Sequence, residues 1–201
     1  MCRIVVFGNS GSGKTTLARV LTSQYGLAHL DLDSLAWDSS GVQVQTMTLD
    51  DWVAFVPRRR SLTESASTIR DFIHEHSEWV IEGCYGDLLE QVLPYASEVR
   101  FLNPGVEACI ANCRARPWEP EKYPSKEAQD QKLDFLLDWV REYESRADEY
   151  SLARHRELFE GFRGPKVELS SSNQSMKPTA PPENKFSVFA ATPSRGLSLS
   201  R

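Results

Sequence analysis

The amino-acid sequence predicts an α/β fold, a parallel sheet covered by helices on both faces. Three observations predict it. Short apolar, β-branched runs alternate along the chain with stretches in helical register, the pattern of repeated strand–helix–strand units. The first run, Ile4-Val5-Val6-Phe7, passes through Gly8-Asn9-Ser10-Gly11-Ser12-Gly13-Lys14-Thr15 into the helix-favouring Thr16-Leu17-Ala18-Arg19-Val20-Leu21. Finally, Asp31, Asp33, Glu82 and Asn103 all fall at the carboxyl ends of predicted strands, where open parallel sheets bind their ligands.

The glycine-rich stretch is a full G-x-x-x-x-G-K-[S/T] match in strand–loop–helix context, which makes it a phosphate site. Glycines let backbone N–H groups converge on phosphate oxygens with no Cβ in the way, and the helix that follows offers its unpaired amides to the same anion. Gly8, Asn9, Ser10, Gly11, Ser12, Gly13, Lys14, Thr15 and Thr16 are thus the expected nucleotide-binding residues. Lys14 is expected along the β- and γ-phosphates, and the Thr15 hydroxyl on Mg²⁺.

Composition suits one α/β domain: 201 residues, 40% hydrophobic and 25% charged. No apolar run approaches the roughly 18 to 20 residues of a membrane span, and a strand begins within three residues of Met1. The sequence therefore reads as cytoplasmic, with no membrane partner. The net charge of −5 is uneven: from Ser171 onward Lys177, Lys185, Arg195 and Arg201 stand against Glu183, a net +3, so residues 1 to 170 carry −8. An acidic body argues against direct nucleic-acid binding, which needs a basic face. Cys2, Cys84, Cys109 and Cys113 form no C-x-x-C pair, and Cys109 and Cys113 share a helical stripe with Val106 and Ile110, which points to packing.

In order, the elements are a strand at 3–7, a helix from Lys14 to Tyr25 stopped by Gly26, and a short strand at 27–31. Residues 39–48 read as a polar loop, and a helix opens at 48–51 with Trp52, Phe55 and Val56 on its apolar side. Pro57 and Arg58-Arg59-Arg60 interrupt it. A second start at Ser61-Leu62-Thr63-Glu64 places Leu62, Ala66, Ile69 and Ile73 in register. A third strand at 79–81 leads into Glu82-Gly83-Cys84-Tyr85-Gly86, then a short helix at 87–90 ends at Pro94. A fourth strand spans 98–102, and Asn103-Pro104 reads as cap and first position of a helix that ends near Arg114 and Arg116. A proline-broken loop follows at 117–124. Ser125 then caps one long helix with Leu133, Leu136, Leu137, Val140 and Tyr143 on one stripe. A helix at 151–160 and a strand at 166–169 complete a domain at 1–169. Residues 170–201, rich in Ser, Pro and Thr, read as a disordered extension.

On these residues the chain resembles a family, the adenylate kinase and shikimate kinase branch of the P-loop fold, and within it the bacterial group often labelled DNA topology modulation kinases. The resemblance covers about residues 1 to 169. It is carried by GNSGSGKTTLA at 8–18, HLDLDSLAW at 29–37, WVIEGCY at 79–85, VRFLNP at 99–104 and the arginines 114 and 116. It implies a P-loop NTPase three-layer α/β/α fold, with a five-stranded parallel sheet in the order 2-3-1-4-5 and a short lid. It also implies that Asp33 positions the acceptor or serves as base, that Asp31 joins Thr15 at the metal, and that Arg114 and Arg116 flank a lid that neutralises the transferred phosphate. The basic run 58–60 and Arg70 lie where such kinases hold the acceptor. Cys84 stands where the group tends to have Asn, which removes an amide donor, and Glu82 and Asn103 replace Asp.

The expected function is transfer of the γ-phosphoryl group of ATP, with Mg²⁺, to a small nucleotide- or nucleoside-like acceptor by a monomer or homodimer. Lys14, Asp33, Arg114 and Arg116 are the catalytic candidates, Thr15 and Asp31 the metal candidates. The alternative is an ATP-binding regulatory protein with little transfer.

Overall fold

The structure, a computed structural model, describes residues 1–38, 58–120 and 123–170. Its sheet has five parallel strands: β1 Arg3–Gly8, β2 Ala28–Asp31, β3 Trp79–Gly83, β4 Glu98–Asn103 and β5 Lys166–Ser170. Their spatial order is β2-β3-β1-β4-β5, the order 2-3-1-4-5 that the family resemblance implies. Among the described residues eight α-helices connect and cover them: α1 Lys14–Tyr25, α2 Asp33–Ala36, α3 Leu62–Glu75, α4 Gly86–Val92, α5 Val106–Arg114, α6 Lys126–Asp130, α7 Leu133–Arg141 and α8 Leu152–Gly161.

Alternation along β1 divides the core. Ile4 and Val6 turn to the α1 face and pack with Leu17, Ala18 and Leu21, whereas Val5 and Phe7 turn to the opposite face with Ile69 of α3, Leu89 of α4 and Leu158 of α8. Every β1 residue from Ile4 to Phe7 is buried, as a central parallel strand requires. A third cluster, Cys109, Ile110, Cys113, Leu137 and Val140, joins α5 to α7, so the two cysteines do pack. Among the described residues no helix is long and apolar enough to cross a membrane.

Local signals placed several elements correctly. Gly26 ends α1 in the left-handed conformation and returns its N–H to Thr22 O at 2.9 Å. Ser61 and Glu64 form a reciprocal capping box at the start of α3. Elsewhere tertiary context prevailed. Leu62 is 43% exposed, because the first turn of α3 projects past the core that Ala66, Ile69 and Ile73 fill. Asn103 ends β4 and donates to Glu168 on β5 at 3.0 Å instead of capping a helix; α5 begins after Gly105, which has φ +94. The single long helix expected from Ser125 is two helices, α6 and α7, broken at Gln131-Lys132. Arg58-Arg59 is a short strand paired antiparallel with Trp37-Asp38. The polar loop at 39–48, the helix around Trp52, and the extension from 171 lie outside the described residues.

Candidate functional site

The phosphate loop is built by close backbone contact. Gly8 has φ +152, and a Cβ there would come within 2.1 Å of Leu102 O; Gly11 has φ +76, and its Cβ would meet Cys109 O at 2.3 Å. No L side chain fits either place, so these glycines are required by geometry. Inside the loop, Ser12 N and Lys14 Nζ both donate to Asn9 O, at 3.2 and 3.0 Å. The Asn9 side chain turns away from the loop's concave side. Its Nδ2 donates to Val140 O at 3.1 Å and its Oδ1 accepts from Ser10 N at 2.8 Å. Asn112 Nδ2 donates to Gly11 O at 2.8 Å. Two asparagine amides thereby fasten the loop to α7 and α5. The first amides of α1 have no intrahelical acceptor, and the positive end of the helix lies with them.

Beside the loop stand the ends of β2 and β3. Asp31 and Glu82 are register partners on these strands. Asp31 Oδ1 accepts from Asp33 N at 2.9 Å, which fixes the turn into α2. The Asp33 carboxylate accepts from the Tyr85 hydroxyl at 2.7 Å, and that hydroxyl accepts from Trp37 Nε1 at 2.8 Å. Glu82 is 1% exposed, and its Oε1 lacks a hydrogen-bond partner, with His29 Nε2 at 3.7 Å. Glu82 of β3 pairs with both Val6 of β1 and Asp31 of β2, so the acidic strand ends and the phosphate loop that follows β1 lie at one end of the sheet, where the Cys84 thiol also stands. Burial pushes that thiol up to about 12, against the pull of the Lys14 ammonium. Cys84 therefore stays protonated and neutral.

The turn after β3 is held from below by a buried relay. His155 is fully buried, with Nε2 3.0 Å from Cys84 O and Nδ1 2.7 Å from the Tyr143 hydroxyl. A carbonyl only accepts, so Nε2 carries the proton and Nδ1 accepts from Tyr143. Burial holds the ring neutral, lowering its pKa to about 4. Arg59 does not face an acceptor as an open cation. Its guanidinium donates to both Asp87 oxygens at 2.8 Å and pairs with Glu149, between the rings of Tyr85 and Tyr150.

Of the remaining sequence candidates, Thr15 is half-buried in the first turn of α1 and Thr16 is exposed. Arg114 is the exposed last residue of α5, and Arg116 pairs with Glu119 at 3.3 Å. Tyr85, Asn112, His155 and the side-chain role of Asn9 escaped the sequence, because each acts across long separations. For Asn9 the motif itself specifies any residue.

No protein-family model matches the chain, and no curated protein matches it. Solved structures resemble it in fold. An unliganded sugar kinase from Janibacter sp. HTCC2649 has 14% identity over 86% of this chain and 87% of that one, with a TM-score of 0.43. A deoxyadenosine kinase from M. mycoides with bound dATP has 10% identity over 85% and 91%, with a TM-score of 0.41. An uncharacterized protein from Eubacterium ventriosum ATCC 27560 has 17% identity over 85% and 90%, with a TM-score of 0.40. These are distant likenesses of fold, and the site is interpreted from this chain's own residues.

Proposed function

We propose that residues 1–169 form an ATP-dependent kinase domain that transfers the γ-phosphoryl group to a hydroxyl of a small nucleotide- or nucleoside-like acceptor. One observation carries the proposal: the phosphate loop with its lysine follows β1 at the same end of the sheet as Asp33, a carboxylate just past the end of β2 that is held by a tyrosine. Phosphoryl transfer is mainly a matter of positioning and charge neutralisation, so a donor cradle beside an oriented carboxylate is what it needs.

In this proposal the amides from Gly11 to Thr16 hold the β- and γ-phosphates, and Lys14 gives up its contact with Asn9 O to span them. Asp33 orients the acceptor hydroxyl and takes its proton. Arg114 and Arg116, which flank the lid that the family resemblance implies, neutralise the transferred group. The residues at hand also fit Mg²⁺. Thr15 and Asp31 supply hard oxygen donors, and the orphaned, buried Oε1 of Glu82 supplies a third beside Asp31. Among the described residues no three acidic, histidine or cysteine side chains form a metal cage on their own, which suits an ion carried in by the nucleotide. When bound, Mg²⁺ would neutralise charge on the phosphates.

The test is to incubate the protein with ATP, Mg²⁺ and a panel of nucleosides, nucleotides and sugars while following ADP. Asp33→Asn should lower transfer by about 10²-fold or more, as for loss of a general base, and spare ATP affinity. If no acceptor raises ADP release above the rate with water, the regulatory alternative replaces the kinase.

A further inference from the structure

We propose that Tyr85 is a positioning residue for Asp33, the middle member of a Trp37–Tyr85–Asp33 relay that sets the plane of the carboxylate; the inference rests on the kinase reading above. The indole N–H of Trp37 donates to the Tyr85 hydroxyl at 2.8 Å, and the hydroxyl donates to Asp33 Oδ1 at 2.7 Å. Each hydrogen has one direction to go. An indole only donates and an ionised carboxylate only accepts, so the phenol between them must accept from one and donate to the other. A donor to a charged acceptor makes the stronger class of hydrogen bond.

The phenol cannot escape this duty by ionising. Burial, and then the Asp33 charge, push its pKa far upward, so it keeps its proton and remains a donor. Nor can the ring readily move, since Tyr85 is 4% exposed and its neighbours are fixed on every side. His155 holds Cys84 O, and Gly86 N donates to Glu149 O at 2.9 Å. A Cβ on Gly86 would meet that same oxygen at 2.5 Å, so the chains are already in contact. Tyr150 packs edge-on to the Tyr85 ring at 5.5 Å, and Arg59, clamped by Asp87 and Glu149, lies 5.7 Å from it.

Asp33 is consequently held at two points by different parts of the chain. Its backbone N–H is taken by Asp31 Oδ1 and its carboxylate by Tyr85, 52 residues away. Trp37 ties the relay to the far end of α2, so both ends of this one-turn helix meet at the phenol. If the hydroxyl served only to satisfy a buried polar atom, its loss would be felt in stability. If it positions Asp33, the loss falls on turnover.

The experiment is Tyr85→Phe, which keeps the ring and deletes only the hydroxyl, assayed beside Asp33→Asn and the double variant by single-turnover release or transfer of the γ-phosphoryl of ATP. The expected result is a fall in kcat of about 10- to 100-fold, the penalty of a misplaced reacting group, with KM for ATP changed less than about twofold. Tyr85→Phe should add nothing further in the Asp33→Asn background. Trp37→Phe, which removes the outer donor, should lower kcat by about 2- to 5-fold, one neutral hydrogen bond's worth, and serves if Tyr85→Phe does not fold. Undiminished kcat in Tyr85→Phe, or a loss shared equally by ATP affinity and urea midpoint, overturns the positioning role and leaves the kinase reading standing. A wild-type protein that binds ATP but turns it over no faster than ATP in buffer overturns both.

Discussion

Acidification should destabilise this protein through one imidazole. His155 is buried and neutral, donating from Nε2 to Cys84 O and accepting at Nδ1 from Tyr143. Its pKa in the folded chain is about 4, against an ordinary 6.5. Between these values the unfolded chain binds a proton that the folded chain refuses, so stability falls as the pH falls through this window and levels off below about 4. At about 1.4 kcal/mol per unit the whole window is worth about 3 kcal/mol, of which about 2 kcal/mol has gone by pH 5. With a urea slope near 2 kcal/mol/M, that is a fall in midpoint of about 1 M between pH 8 and pH 5 from this residue alone. Carboxylates titrate over the same range, so the measurement must be differential. His155→Gln can still donate to Cys84 O but cannot titrate. It loses the edge contacts of the ring with Phe7 and Phe101, at 5.5 and 6.2 Å, and is less stable at pH 8. Its midpoint should nevertheless fall by about 1 M less than wild type on going to pH 5. Parallel pH profiles in the two proteins would refute the buried neutral relay.

Other perturbations have equally definite outcomes. Lys14→Ala should weaken ATP binding by about 10²-fold or more in a fluorescence titration, as for loss of a charged phosphate contact; unchanged affinity would sink the phosphate-loop assignment. Gly11→Ala places a Cβ 2.3 Å from Cys109 O at φ +76. It should cost about 2 to 4 kcal/mol in urea unfolding, and a midpoint within error of wild type would mean that the loop is not as tightly packed as described. Glu82→Gln should raise the Mg²⁺ concentration needed for half-maximal turnover by about 10-fold, leaving Mg²⁺-free ATP binding intact. Equal loss of both would show that Glu82 shapes the loop and not the ion's surroundings.

The features that were legible in the sequence depend on neighbours in the chain. Gly8 through Thr15 announce a phosphate loop because the glycines, the lysine and the flanking strand and helix lie within one local motif. Ser61 and Glu64 announce a capping box because both partners lie within one turn. The sheet order followed from the resemblance, and the strands themselves from their apolar runs. What stayed hidden was decided across long separations. His155 is 71 residues from the carbonyl it holds, and nothing in the run Arg154-His155-Arg156 marks one residue as buried. Asn103 looked like a cap because Asn-Pro is a good local start, but a carboxylate on β5 competes for its amide, and the backbone at Gly105 delays the helix. The one long helix failed for a related reason: the apolar stripe from Leu133 is real, but the chain breaks at Gln131-Lys132 before α7 settles against α5. Within the site, Asp31 and Asp33 were visible as an acidic pair at a strand end. Their division of labour, one bonded to a backbone amide and the other to a phenol, was not.

The cysteines give this architecture an intrinsic clock. All four are free, and Cys84, Cys109 and Cys113 are buried beneath or beside the phosphate loop, with Cys113 Sγ 2.7 Å from where a Cβ on Gly11 would stand. Burial raises all three thiols, Cys109 to about 11 and Cys84 to about 12. At neutral pH a thiol reagent finds almost no thiolate there, and Cys109 and Cys113 are shut in while the loop, α5 and α7 stay together. Chemical modification must therefore wait for that seam to part. The rate at which Cys109 and Cys113 acquire a label is then the rate at which the floor of the phosphate loop opens. A bound triphosphate, by fastening the loop to α1, should slow the clock without touching a sulfur.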